Sequence, residues 1–220
     1  MEAAALTLAS ASPRRRRLVG WLGVPVAITA TDTPEDLDRP LPPDVLATEL
    51  AADKARAARE AGATGIVLAF DTVVVLGERL LGKPTDDREA RSMLRDLSGG
   101  THEVVTGVAV LAPEARTPGS FAVRTPVRMR TLSDAAIEAW VAEGECLGCA
   151  GAYNIERHLA GVDDDQCFHN VTGIPLCHVY RALVAMPDTT LAGLTCPVAA
   201  CDAALGRTCV LGPLLCGPAR

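Results

Sequence analysis

The chain has 220 residues, of which 49% are hydrophobic and 22% charged, with a formal net charge of -6. That is globular composition, with length for one domain or two closely joined lobes around a sizeable core. The acidic balance excludes broad nucleic-acid binding, so any basic cluster is local and suited to a small anion. No apolar stretch is long enough to span a bilayer. The opening MEAAALTLASA carries Glu2 where a secretory signal has basic residues, so it reads as a buried strand of a cytoplasmic protein, and the eight cysteines read as reduced thiols or metal ligands.

In chain order, Leu6–Ala9 reads as a short strand, followed by a loop and a helix running towards Gly23. Ser12 suits the N-cap and Pro13 the first helical position, which puts Arg14 and Arg15 in the first turn. Cations oppose the positive end of the helix dipole, so the run Arg14–Arg17 is either a solvated basic face or a seat for an anion such as a phosphate chain. DVLATELAADKARAAREAG reads as a helix ending at Gly62, and GIVLAFDTVVVLGERLLGKP as a buried strand, a turn near Gly77 and a returning strand. Asp86 and Glu89 form a capping box for a helix that ends at Gly99 and Gly100. Strands follow at HEVVTGVAVLA and FAVRTPVRMRTL, then Ser133 caps a helix through Trp140. The alternation of strands and helices is that of an α/β fold. From about Pro187 the chain turns rich in Gly, Pro, Cys and Ala, so the expected division is a domain over 1–187 and an appendage over 188–220.

Asp71 interrupts the apolar run GIVLAFDTVVVL. A carboxylate buried there is costly without a metal ion, a cation, a reacting water or structural hydrogen bonds to compensate it. Lys54, on a mostly alanine helix, and Lys83, in the turn GKP, are two further charges without an obvious local reason.

At Ser10–Arg15, Lys54, Asp71–Thr72 and Gly82–Pro84, and again at ARSMLRDLSGGTHEVVTGVAV, AGAYNIE and NVTGIPL, the chain resembles the Maf family of nucleoside triphosphate pyrophosphatases, also called septum-formation proteins. The likeness runs from about residue 6 to about 185, and it lies in the order and joint occurrence of these motifs. It implies a mixed, twisted α/β sheet in two lobes around a deep nucleotide-binding cleft, and cleavage between the α and β phosphates to give a monophosphate and pyrophosphate. It makes Asp71, Lys83 and Lys54 catalytic, and Asp71 with Glu35 the ligands of Mg²⁺ or Mn²⁺. Ser10, Ser12, Arg14, Arg15, Thr72 and Glu156 become substrate-binding residues, with the two arginines and two lysines as triphosphate clamps. A nucleoside triphosphate is the implied partner, with neither nucleic acid nor membrane, and a homodimer is compatible with this reading.

The chain also departs from the family pattern. Cys149 stands before AGAY where most relatives have lysine, which removes a positive charge from the cleft. Glu156 stands where relatives acting on dTTP and UTP usually have glutamine. A branch preferring 7-methyl-GTP has glutamate there but an aromatic residue in place of Arg14. Glu156 is therefore expected to help select the base, since a carboxylate only accepts hydrogen bonds whereas an amide also donates. The pair Cys146 and Cys149, with Cys167 and Cys177, is the ligand set to consider for a structural metal. The rival function is a catalytically weak nucleotide-binding regulator of cell division, favoured by the missing lysine and opposed by retention of Asp71, Lys54 and Lys83.

Overall fold

A computed structural model of the chain describes residues 6–186 and 191–217. The elements are β1 (Leu6–Ala9), α1 (Pro13–Val19), β2 (Val26–Ile28), α2 (Pro43–Glu60), β3 (Ile66–Leu76), β4 (Arg79–Leu81), α3 (Asp87–Leu97), β5 (Thr101–Leu111) and β6 (Gly119–Met129). They continue with α4 (Asp134–Ala142), β7 (Ala160–Gly161), α5 (Phe168–Val171), α6 (Leu176–Val184), α7 (Val198–Leu205) and α8 (Leu211–Cys216). The seven strands form one mixed sheet in the order β2-β1-β3-β5-β6-β7, with β4 paired to the far end of β3. Strand β1 runs parallel to β2 and β3, while β3, β5, β6 and β7 are antiparallel neighbours. This is the mixed α/β architecture expected from the alternating pattern. Among the described residues no helix is long and apolar enough to cross a membrane.

Local chemistry sets most boundaries. Ser12 is the N-cap of α1, with Pro13 as its first residue, but the helix stops at Val19 and tightens into a single 3-10 turn over Gly20–Leu22. Gly23, at φ 74°, ends that turn, so the expected helix is shorter than its apolar pattern. The α3 cap holds in half: Asp86 accepts from the Glu89 N–H at 2.7 Å, while the Glu89 carboxylate accepts from the N–H and hydroxyl of Thr85 instead of closing the box on Asp86.

The core is built of four clusters among the described residues. Leu94, Leu97, Val127, Ile137 and Trp140 pack together around α3 and α4, and Leu6, Leu8, Leu18, Leu22, Phe70, Ile174 and Val179 pack together around α1 and α6. On the other sheet face, the alanines of α2 meet small residues of the strands. The stretch after the described break is joined to this body: Leu191, Leu194 and Cys201 pack in the cluster around α1 and α6, and the Thr195 N–H donates to the Leu22 carbonyl at 2.8 Å. The boundary expected at 187–188 lies outside the described residues.

Candidate functional site

A cleft of about 850 Å³ opens beyond the end of β1. It is lined by the turn from Ala9 to Arg15, by the loop over Thr31–Glu35 and by Gly148, Cys149, Tyr153 and Asn154. Lys54, Asp71, Thr72 and Lys83 line it together with the segment Val171–Gly173.

The position of Asp71 follows from strand alternation. It pairs in register with Gly107 of β5, so both point to the sheet face covered by α2. A Cβ on Gly107 would lie 2.1 Å from the Ala47 carbonyl oxygen, so only glycine lets the α2 backbone come so close. Ala47, Ala51, Ala55 and Ala58 are fully buried on that side, and the same close approach brings Lys54, 8% exposed, onto Asp71, 3% exposed. The Lys54 ammonium donates to Asp71 Oδ1 and, at 2.7 Å, to Glu35 Oε1. Lys83 Nζ reaches both Glu35 oxygens at 2.8 Å. Two carboxylates and two ammonium groups therefore form one chain from the buried Asp71 to the exposed Lys83. Burial acts to raise the Glu35 pKa, but Lys54 and Lys83 outweigh it and hold the carboxyl at about 2, so Glu35 is ionised throughout the neutral range.

The four arginines diverge. Arg14 lines the cleft, donating to Cys149 Sγ at 3.1 Å and to the Gly148 carbonyl at 3.2 Å. Arg15 turns inward: Nε donates to the Gly173 carbonyl at 2.8 Å, Nη1 to the Phe70 carbonyl at 3.0 Å and Nη2 to the Thr72 hydroxyl at 2.9 Å. Burial lowers its pKa, an effect opposed by Asp71 and Glu35. Arg16 donates to the Ser10 carbonyl at 3.4 Å and Arg17 pairs with Glu156. Arg15, expected as a triphosphate clamp, lines the cleft with each of its three nitrogens bonded to a protein oxygen. Thr72 is likewise engaged, by Arg15 and by the Thr106 hydroxyl at 3.0 Å. Ser10 accepts from the Ser12 N–H at 3.2 Å, and Ser12 accepts from the Arg15 N–H at 3.4 Å, so both serines shape the turn that carries Arg14 and Arg15.

Glu156 does not line the cleft: the 3-10 turn Ile155–Arg157 directs its carboxylate to Arg17. Glu156→Gln is accordingly expected to leave the order of kcat/KM among nucleoside triphosphates unchanged, as measured by pyrophosphate release with each base. A reordering towards uridine or thymidine triphosphate would return Glu156 to the base pocket. The four cysteines considered as one ligand set do not meet. Cys146 is buried in the core between α3 and α4 and Cys149 lines the cleft, whereas Cys167 and Cys177 line a separate small cavity with Cys201 and Cys209. Among the described residues no group of three or more His, Cys, Asp or Glu is arranged to hold a metal ion.

Sequence reasoning passed over Tyr153, Asn154, Glu145 and Asp32, which also line the cleft. Tyr153 bonds His102 Nε2 at 2.7 Å, and burial lowers the His102 pKa to about 4, leaving a neutral ring that fixes the tyrosine. Asn170 ties the cleft segment to the sheet by donating to the Val104 and Val123 carbonyls and the Thr125 hydroxyl. The stretch GECLGCAGAYNIE offered a signal for the first three, since a tyrosine and two polar residues within a Gly-rich stretch fit a ligand-lined loop better than a core.

The family model described as Maf-like protein matches residues 5–186. A protein of Moorella thermoacetica named dTTP/UTP pyrophosphatase is 44% identical over 182 residues, covering 81% of this chain and 93% of the relative. One of Xanthomonas axonopodis pv. citri with the same name is 41% identical over 191 residues, covering 82% and 97%. The structure of a HAM1 protein from Coxiella burnetii aligns with 56% of this chain and 72% of its own, at 17% identity and a TM-score of 0.41, too slight a likeness to argue from. The motif set read from the sequence and these matches along nearly the same span agree: the chain belongs to the Maf family.

Proposed function

We propose that the chain hydrolyses nucleoside triphosphates between the α and β phosphates, releasing a nucleoside monophosphate and pyrophosphate, with dTTP and UTP as its substrates. The observation that carries this reading is the chain Asp71–Lys54–Glu35–Lys83 lining a cleft of about 850 Å³, where fixed cations and carboxylates alternate. The names of the relatives support the activity and the choice of pyrimidine triphosphates.

Lys54 sits between Asp71 and Glu35 and donates to both, so a divalent cation held by these carboxylates would displace its ammonium, and Mg²⁺ is commonly held by one or two carboxylates with phosphate oxygens completing its shell. Asp71 and Glu35 would hold Mg²⁺ or Mn²⁺. Once bound, the ion would screen phosphate charge and acidify a water molecule near it. Asp71, shielded from bulk water, is positioned to take the proton of the attacking water. Lys83, half-exposed at the rim, offers its ammonium to the charge that develops on departing pyrophosphate. Arg14 faces the same space and contributes a second cation, steadied by Cys149 and Gly148.

Pyrophosphate release measured across the canonical ribo- and deoxyribonucleoside triphosphates, with and without Mg²⁺, tests the reading. Fastest turnover of dTTP and UTP supports it, and binding without turnover of any triphosphate overturns it in favour of a regulator. Lys83→Ala should lower kcat/KM roughly 30- to 1,000-fold for every substrate, corresponding to about 2–4 kcal/mol of lost charge stabilisation. Its effect on melting should be small because the ammonium is exposed. A loss confined to one base would mean that Lys83 reads the base and not the phosphates.

A further inference from the structure

The cysteines that fail to make a metal site gather in another way. Cys167 and Cys177 of the body and Cys201 and Cys209 of the appendage line one cavity of about 20 Å³, room for about one water molecule. Cys177 is 6% exposed and Cys201 4%, and Cys201 packs in the same cluster as Leu176, Val179 and Leu183 of α6. Helix α8 packs on both α6 and α7. At Gly212 of α8 an added Cβ would stand 3.4 Å from both Cys177 Sγ and Cys209 Sγ, so the appendage is pressed against the thiols of the body. The Cys201 contact and burial push the Cys177 thiol up, and burial pushes Cys167 up to about 12, so these groups rest as protonated thiols.

We propose that Cys177 and Cys201 are an oxidation site: under a disulfide oxidant they form a bond that fastens the appendage to the catalytic body. The Cys177 thiolate attacks a small disulfide and expels one small thiol, and Cys201, on the same cavity, then displaces the second small thiol. In the balance two S–H bonds break, one S–S bond forms, and two electrons and two protons convert the oxidant into two thiols. The raised thiol pKa values make the exchange slow, because only the thiolate attacks. The segment affected is shared with the cleft: Phe168 and His169 border the thiol cavity, whereas Val171, Thr172 and Gly173 border the cleft.

The full chain is incubated with excess oxidised glutathione, digested without reductant and mapped by mass spectrometry, and parallel samples are melted before and after dithiothreitol. The expected result is a Cys177–Cys201 cross-linked peptide, a melting temperature raised by about 5–10 °C and full reversal by reductant. Cys201→Ser and Cys201→Ala should lose the cross-linked peptide and each melt at the same temperature before and after oxidation. A second variant guards against loss of fold from a buried hydroxyl. The proposal is overturned by glutathione adducts alone, by a Cys177 bridge to a different thiol as the end product, by an unchanged melting temperature, or by zinc or iron bound in one-to-one ratio to the purified protein.

Discussion

Asp71→Asn lowers kcat for pyrophosphate release by roughly 1,000-fold or more, the scale on which an enzyme depends on a positioned base and its metal ligands, while the fold persists. The asparagine keeps the volume and one carbonyl oxygen but loses the charge and the capacity to take a proton. Retention of the fold follows from the surroundings. Lys54 keeps its bond to Glu35 at 2.7 Å, so removing the Asp71 charge does not leave an ammonium buried and alone. The melting temperature should therefore fall by a few degrees at most. Two measurements check this: single-turnover kinetics for the chemical step, and Mn²⁺ binding in the presence of a non-hydrolysable triphosphate, which should weaken. Turnover near the wild-type rate would remove Asp71 from the chemistry and leave it as a structural partner of Lys54.

What the sequence disclosed about this site depended on how local the determining physics was. Strand β1 lies at Leu6–Ala9 as read from its apolar residues, and Asp71 stood out because a carboxylate in an apolar strand has no cheap local explanation. The partners of Asp71 were harder to see. That Lys54 reaches it depends on the alanine face of α2 and on Gly107, and a glycine inside a strand reports only that some backbone comes near, not which one. Among Arg14–Arg17, successive residues on a helix point about 100° apart, so a run of four identical side chains must face different surroundings. Which of them turns inward is decided by carbonyls at Phe70 and Gly173, 55 and 158 positions away along the chain. Glu156 shows the same limit from the other side. Its motif fixed the residue type, but its direction is set by a short turn ending at His158, whose φ of 59° reverses the chain.

Arg15→Ala is expected to destabilise the protein by about 3–5 kcal/mol, more than any other single substitution at the cleft. The guanidinium is the common partner of three acceptors on two different segments: the Gly173 carbonyl from the turn before α6, and the Phe70 carbonyl and Thr72 hydroxyl from β3. Removing it leaves two carbonyls without their donor, each worth about 1–3 kcal/mol when water cannot replace the lost bond, and opens a gap beside the Phe70 ring, whose centroid lies 5.8 Å from the guanidinium carbon. Its charge also faces Asp71 and Glu35, so its loss tips the cleft towards repulsion between carboxylates. Arg15→Lys should recover only part of this, because an ammonium on a flexible stem cannot present three donors along the directions of a planar fork. Urea unfolding of wild type, Arg15→Ala and Arg15→Lys at neutral pH gives the three stabilities directly. Activity should fall in the same order, through displacement of the Val171–Gly173 wall, even at temperatures where each variant is folded. An Arg15→Ala protein with unaltered stability and a loss only in KM would instead show a guanidinium free to bind phosphate, which its three protein hydrogen bonds argue against.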